Sequence, residues 1–156
     1  MCIRDSVSTA DMDSLDALLI KEANMNYVRT SHYPPTERFV EYCDHYGIYV
    51  ECETAVCFAG INRQKYYAPG DTQNDTAFTD RYMSQLHEMV KTFCSHPSVM
   101  LWSIGNENIY GLNFQKSRDW IKSTDTTRPI LFSYPGTQKE GLSLIHISEP
   151  TRLLST

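Results

Sequence analysis

The chain alternates between two hydrophobic patterns. Apolar residues three and four positions apart, as at Phe39, Val40 and Cys43, are typical of helices with one buried face. Short continuous apolar runs, as in "VMLWSI" from Val99, are typical of strands buried on both faces of a parallel sheet. The patterns alternate four times and predict the order α-β-α-β-α-β-α-β, an α/β fold built from βαβ units.

Capping and turn residues set the bounds of these elements. Asp13 or Ser14 is predicted to begin the first helix, Thr36 to begin the second and Gly47 to end it. The inner face of the first helix is predicted to consist of Leu15, Leu18 and Leu19. The other predicted elements are strands at 27–29, 48–53, 99–104 and 130–134, and helices at 75–94 and about 113–123. Residues 54–74 form a long irregular stretch of the kind that is often functional.

Composition excludes several classes of protein. With 41% hydrophobic and 21% charged residues, the 156-residue chain can bury the core of one domain. A net charge of −5 without a basic cluster argues against a nucleic-acid partner, and no apolar run is long enough to span a membrane. The five cysteines lack paired spacing, so we expect reduced, mostly buried thiols. Oligomeric state and compartment are not predicted.

The two ends of the chain are related to each other through their possible coding DNA. One coding strand for "MCIRDS", read as its reverse complement, encodes the "LSLIH" that begins at Leu142. Both ends resemble translated sequencing-adapter DNA, so residues 1–6 and 142–156 are excluded from fold reasoning. We expect residues 7–141 to be the natural segment, cut from a longer protein.

Polar residues end each predicted strand. They are Arg29, Ser31 and His32; Glu51 and Glu53; Asn106, Glu107 and Asn108; and Ser133 and Tyr134. In a parallel sheet these ends meet at one edge, where α/β folds keep their chemistry. A carboxylic acid there can protonate a glycosidic oxygen as its bond breaks, while a second carboxylate stabilises or traps the sugar cation.

Four blocks of sequence make the interpretation specific. "NMNYVRTSHYPP", "CDHYGIYVECET", "HPSVMLWSIGNEN" and "DWIKSTDTTRP" resemble successive blocks of the catalytic domain of glycoside hydrolase family 2. The resemblance implies a partial (β/α)8 TIM barrel of about four parallel strands alternating with helices. It also implies retaining hydrolysis of a carbohydrate substrate, a terminal β-glycoside such as a β-galactoside or β-glucuronide.

The resemblance also assigns roles to individual residues. Glu107 matches the family's general acid/base, and Asn106 matches the residue that contacts the sugar 2-hydroxyl. Arg29 and His32 match residues that line the sugar pocket, and Glu53 lies at the floor of the site.

Two departures from the family pattern matter. The family's nucleophile lies on the seventh strand, and no residue of this chain matches it. Long β-galactosidases bind magnesium through an "ExHG" stretch, where this chain has "CFAG" from Cys57 to Gly60. Because both ligands of that stretch are absent, no metal and no cofactor are predicted.

Several structural interpretations stand beside the functional ones. Arg29 can form an ion pair with Glu53 or Glu107, and His32 and Glu53 can be purely structural. Glu51 is expected to point to the opposite face of its strand in a structural role. Trp102 and Trp120 are expected in the core rather than as sugar platforms.

The sequence also leaves rival functions open. Glu53 and Glu107 can act as nucleophile and acid if their carboxyls lie roughly 5 Å apart. Another retaining barrel family, such as the β-glucanases, is an alternative, although the "RTSHYPP" block argues against it. A non-catalytic product, either a sugar-binding half-barrel or a chain that does not fold, is the alternative of a different class.

Overall fold

A computed structural model of the chain describes residues 10–60 and 72–133. Helices and strands alternate, and a short 3-10 helix, Thr76–Phe78, precedes the third α-helix. The elements in chain order are α1 (Ala10–Glu22), β1 (Tyr27–Arg29), α2 (Glu37–Tyr46), β2 (Tyr49–Glu53), α3 (Thr79–Phe93), β3 (Val99–Asn106), α4 (Leu112–Thr124) and β4 (Ile130–Ser133).

The four strands form one sheet in the order β1-β2-β3-β4, and every neighbouring pair is parallel. Parallel neighbours require a crossover, and among the described residues each crossover contains one α-helix. The predicted order of elements and the parallel α/β architecture, a partial barrel, are confirmed.

Local sequence signals explain where α2 begins and ends. The hydroxyl of Thr36 accepts a hydrogen bond from the Phe39 N–H at 3.1 Å, which caps the helix as predicted. Gly47 ends it in the left-handed conformation at φ 66°, where a side chain would be strained. The helix predicted at 75–94 instead starts with the 3-10 turn, which the Asp75 side chain caps.

The core lies between the sheet and the helices. Val50, Cys52, Trp102 and Ile104 are buried on the strands, so Trp102 lies in the core as predicted. Trp120 is half-buried and packs against the core. The helices contribute Phe39, Val40, Cys43, Leu86, Met89, Val90, Phe93, Phe114 and Ile121. Each large apolar side chain buried in this way contributes about 1.5–3 kcal/mol.

The predicted inner face of α1 is wrong at two of its three leucines. Leu15 and Leu19 are 53% and 50% exposed. The buried positions are Asp13 and Ala17, and Asp13 accepts a hydrogen bond from the Thr36 hydroxyl at 2.7 Å. Because α1 begins at Ala10, Asp13 lies inside the helix and does not cap it. Helical spacing identifies the apolar stripe of leucines. The face that packs against α2, however, is the one that has the small residue Ala17 at its centre.

Several predictions fall outside the described residues: both adapter-like ends, Cys2, Tyr134 and the middle of the 54–74 stretch. Among the cysteines in the described part of the chain, Cys43 and Cys52 are buried, Cys57 is half-buried and Cys94 is exposed. All four are free thiols. No helix in the described part of the chain is long and apolar enough to cross a membrane.

Candidate active site

One face of the sheet carries the polar side chains, and we call it the site face. Arg29 is in register with Glu51, and Glu53 is in register with Ser103. The Ser103 hydroxyl donates a hydrogen bond to Glu53 Oε2 at 2.7 Å. Because alternate residues of a strand point the same way, Glu51 and Glu53 share this face. The expectation that Glu51 points away is therefore wrong.

Glu53 is the centre of a hydrogen-bond network on the site face. It is fully buried, and its Oε2 accepts from Arg29 Nε at 2.8 Å and from Arg29 Nη2 at 2.5 Å. Its Oε1 lies 2.9 Å from His32 Nδ1. The Arg29 and His32 side chains are partly exposed, at 29% and 39%. The ion pair between Arg29 and Glu53, anticipated as a structural interpretation, is present.

Asn106 joins this network at the carboxyl end of β3. Its Oδ1 accepts a hydrogen bond from Arg29 Nη2 at 2.8 Å. Its Nδ2 is buried and has no hydrogen-bond partner within residues 10–60 and 72–133. A buried donor without a partner costs about 1–3 kcal/mol. The network therefore holds the amide in place by its oxygen, while its nitrogen has no partner among the described residues.

Gly105 explains how Asn106 reaches the site face. Strict alternation would place Asn106 with Trp102 and Ile104 on the helix side, but the pairing with β4 shifts register between Ser103 and Asn106. Gly105 has a φ of 151°, and a Cβ there would lie 2.4 Å from Nδ2 of Asn108. Only glycine can adopt this conformation in this space.

Glu107 follows directly and also has a strained backbone. Its φ is 49°, a left-handed conformation that costs a non-glycine residue about 1–2 kcal/mol. Its N–H donates to the Ser133 carbonyl at 2.8 Å. The buried Asn108 fixes the turn, since its Oδ1 accepts from Ala59 N–H at 2.6 Å and its Nδ2 donates to the Val56 carbonyl at 3.0 Å. Such strain is typical of functional sites.

The titratable groups differ in their surroundings. Burial raises the pKa of Glu51, and the charge of Glu53 raises it further, against the lowering effects of the Tyr27 hydroxyl and Arg29. Burial raises the pKa of the Cys57 thiol to about 11, so it is protonated at neutral pH. Within the described ranges, no three His, Cys, Asp or Glu side chains are grouped to hold a metal ion.

The structure thus brings Arg29, His32, Glu53 and Asn106 into one hydrogen-bonded cluster, with Glu107 next in the chain at the same sheet edge. Ser103, a hydrogen-bond partner of Glu53, was not among the predicted site residues. Two-residue alternation would have revealed it, because Ser103 is an inward polar residue in an apolar run.

Comparison with known proteins agrees with this architecture. A family model described as glycosyl hydrolases family 2, TIM barrel domain, matches residues 5–149. A β-galactosidase of Leuconostoc mesenteroides is 36% identical over 130 residues, which are 83% of this chain and 12% of that protein. A β-galactosidase of Lactococcus lactis is 39% identical over 115 residues, covering 74% of this chain and 11% of that protein.

A solved β-D-glucuronidase structure from Dictyoglomus thermophilum superimposes with a TM-score of 0.69 at 25% identity. It covers 80% of this chain and 22% of that one. The chain spans about an eighth of the curated relatives' length, and the matched part lies in the barrel. The chain belongs to glycosyl hydrolase family 2, in the TIM barrel domain.

Proposed function

We propose that this chain carries the acid/base side of the active site of a retaining exo-β-glycosidase. The substrates would be terminal β-galactosides or β-glucuronides, the activities named for its relatives and structural neighbours. One observation carries the proposal: the buried Nδ2 of Asn106 lacks a protein partner in the described part of the chain. A sugar hydroxyl would supply the missing acceptor. The β-glucanase-like alternative loses its support, since the family matched is a different one.

Glu107 is the proposed general acid/base. In the first step its carboxylic acid protonates the glycosidic oxygen as the bond to the leaving group breaks. In the second step the same group, now a carboxylate, takes a proton from the water that attacks the glycosyl-enzyme. The left-handed backbone at Glu107 and its N–H bond to Ser133 would fix the start of the side chain beside the sugar.

The remaining cluster is proposed to hold the sugar. Arg29 fixes the amide of Asn106 by its oxygen, so the nitrogen faces the sugar hydroxyl as a donor. Arg29 and His32 are partly exposed and can contact hydroxyls of the same ring. Glu53 balances the charge of Arg29 and orients both side chains from below.

Glu53 is poorly suited to be the nucleophile. It is fully buried, and three hydrogen bonds from Arg29 and Ser103 converge on its Oε2, while His32 occupies Oε1. A nucleophile needs a lone pair directed at the sugar carbon. We therefore assign the nucleophile to a residue outside this chain and propose that the chain alone does not hydrolyse glycosides.

A graft tests this proposal. The matching segment of the Leuconostoc mesenteroides β-galactosidase is replaced by residues 7–141 of this chain, and 4-nitrophenyl β-galactoside, β-glucuronide and β-mannoside are assayed. The graft is expected to turn over at least one of these substrates, while the isolated chain turns over none.

Other outcomes would change the assignment. Turnover by the isolated chain that is lost in Glu107→Gln would identify a nucleophile within it, with Glu53 the foremost candidate. A folded graft that binds a thiogalactoside without any turnover would favour the alternative of a non-catalytic sugar-binding module.

A further inference from the structure

Glu51 is a second buried carboxyl on the site face, and the proposed reaction does not use it. It is 4% exposed and lies two residues before Glu53 in β2. Its Oε2 accepts a hydrogen bond from the Tyr27 hydroxyl, and its Oε1 lies 3.2 Å from Arg29 Nε. Glu51 therefore approaches the same guanidinium group that holds Asn106.

Within the described residues, Arg29 donates its hydrogen bonds to groups other than Glu51. Its Nε donates to Glu53, and its Nη2 donates to Glu53 and to Asn106. Oε1 of Glu51 accepts no hydrogen bond in the same part of the chain, although Nε is near. An ionised carboxylate at that distance would compete for the N–H, because charge-assisted hydrogen bonds are about twice as strong as neutral ones. Glu51 Oε1 thus lies within ion-pair distance of a guanidinium whose hydrogen bonds go to Glu53 and Asn106.

The surroundings of Glu51 favour its neutral form. Tyr27 and Arg29 face it from β1, Ser103 faces it from β3, and Glu53 lies beside it on β2. Burial and the charge of Glu53 raise its pKa above the usual glutamate value, and the opposing contributions of Tyr27, Arg29 and Ser103 do not cancel the increase.

We propose that Glu51 is a positioning residue that acts on the sugar site through Arg29. Neutral Glu51 leaves the guanidinium to Glu53 and Asn106. When Glu51 releases its proton to solvent, its carboxylate draws Nε toward itself and weakens the bond between Arg29 and Asn106. Sugar affinity therefore falls as the pH rises through this ionisation, a consequence that rests on the function proposed for Asn106.

Nuclear magnetic resonance of the full chain can test this directly. In chain labelled with 13C and 15N, the Glu51 Cδ and Arg29 Nε resonances are followed from about pH 4 to pH 8, which covers carboxyl pKa values raised above the usual 4.3. Both resonances are expected to titrate in one step with a common midpoint above that value. Glu51→Gln should abolish the step at Arg29 Nε while the protein remains folded.

Two tyrosine variants provide a matched pair. Tyr27 and Tyr49 are in register on neighbouring strands, but Tyr27 donates to Glu51. Since that bond stabilises the ionised form, Tyr27→Phe should move the common midpoint to higher pH, whereas Tyr49→Phe should leave it in place.

Three results would overturn the proposal: an Arg29 Nε resonance with no step, a step that survives Glu51→Gln, or a midpoint that Tyr27→Phe does not move. If Glu51→Gln fails to fold, the Tyr27→Phe result decides. The readout requires neither sugar nor turnover, so its failure is distinct from failure of the proposed glycosidase function.

Discussion

The two ends of the same sheet use their polar residues in opposite ways. At the amino end, Asp44 accepts hydrogen bonds from His96 Nδ1 at 2.6 Å and from the Ser98 N–H at 2.8 Å. Asp125 accepts from Trp102 Nε1 at 2.9 Å and from Arg128 Nη1 at 2.8 Å. Asp44 connects α2 to the start of β3, and Asp125, at the end of α4, connects that helix to β3 and to the residues just before β4.

The pKa values follow the same division. Burial raises the pKa of Asp44, but hydrogen bonds from Ser98 and His96 outweigh it, and the pKa lies below its usual value. Burial also raises the pKa of Asp125, but hydrogen bonds from Thr127, Arg128 and Trp102 outweigh it and hold that pKa far below the usual range. At the carboxyl end, by contrast, the pKa of Glu51 is raised.

The backbone makes the contrast sharper. The carboxyl end contains Gly105 and Glu107 at positive φ and the buried Asn106 nitrogen without a partner in the described residues. Each of these features costs stability. In TIM barrels the carboxyl face carries the chemistry and the amino face contributes to stability, and the function proposed for this chain fits that division.

The largest expected effect on stability is that of Gly105→Ala. The new methyl group would meet Asn108 Nδ2 at 2.4 Å and the Val56 carbonyl at 2.8 Å, in a backbone conformation that favours glycine. We expect the free energy of unfolding, measured in urea, to fall by about 3 kcal/mol. Gly47→Ala is the control, because it also has positive φ but nothing within 4 Å, and should cost about 1 kcal/mol. Equal costs would show that the close approach at Gly105 does not matter.

Asp44→Asn should have the next largest effect. The substitution removes the negative charge of the carboxylate that accepts hydrogen bonds from His96 and Ser98. Hydrogen bonds to a charged group contribute about 1.5–3 kcal/mol. A decrease of about 2 kcal/mol in urea unfolding is expected. Asp119→Asn is the matched control, since its pair with Arg118 is half-exposed and surface pairs contribute about 0–1 kcal/mol. If the two variants cost the same, the amino end has no special role in stability.

The pH dependence of stability should have opposite signs at the two ends. The pKa of Asp44 is lowered in the native state. Its contribution to the free energy of unfolding is therefore present above its pKa in the unfolded chain, about 4, and is lost as the pH falls through the native pKa. The native pKa of Glu51 is raised, so its contribution is complete below the unfolded value of about 4.3 and is lost as the pH rises through the native pKa. We therefore expect the free energy of unfolding, measured from pH 2.5 to 7, to fall less steeply at acid pH in Asp44→Asn than in wild type. In Glu51→Gln, stability should increase relative to wild type toward neutral pH, and parallel curves would contradict this.

Asn106→Ala should have the smallest effect on stability. Arg29 keeps both hydrogen bonds to Glu53, and the substitution also removes a buried donor without a partner in the described part of the chain. We expect a change below about 1 kcal/mol in urea unfolding. In the graft, KM for the turned-over glycoside should rise about tenfold, the effect of about 1.4 kcal/mol. A loss of several kcal/mol in stability with unchanged KM would make Asn106 a structural residue.

The sequence predicted those features that depend on periodicity and caps. The order of helices and strands along the chain, the Thr36 cap and the Gly47 stop follow from local patterns, and the structure agrees. Convergence of Arg29, His32, Glu53 and Asn106 follows from the rule that parallel strands end at one edge.

The sequence could not predict features that depend on neighbouring elements. The inner face of α1 is set by its contact with α2, so the leucine stripe was misleading. The direction of Asn106 depends on a register shift at Gly105, which strict alternation does not contain. The link between Glu51 and Arg29 depends on the register of β1 and β2, which is a long-range property.

The leaving-group dependence of Glu107→Gln tests the central claim most directly. In the graft, kcat/KM is measured for an alkyl and a 4-nitrophenyl glycoside of the same sugar, with the exposed Glu88→Gln as control. Loss of the general acid should lower the alkyl rate by about 10²–10⁴-fold and the 4-nitrophenyl glycosylation step much less, because an activated leaving group needs little protonation. Melting temperature and the Glu88→Gln rates should not change. Equal rates for wild type and Glu107→Gln on the alkyl glycoside would contradict the assignment of Glu107 as the acid/base.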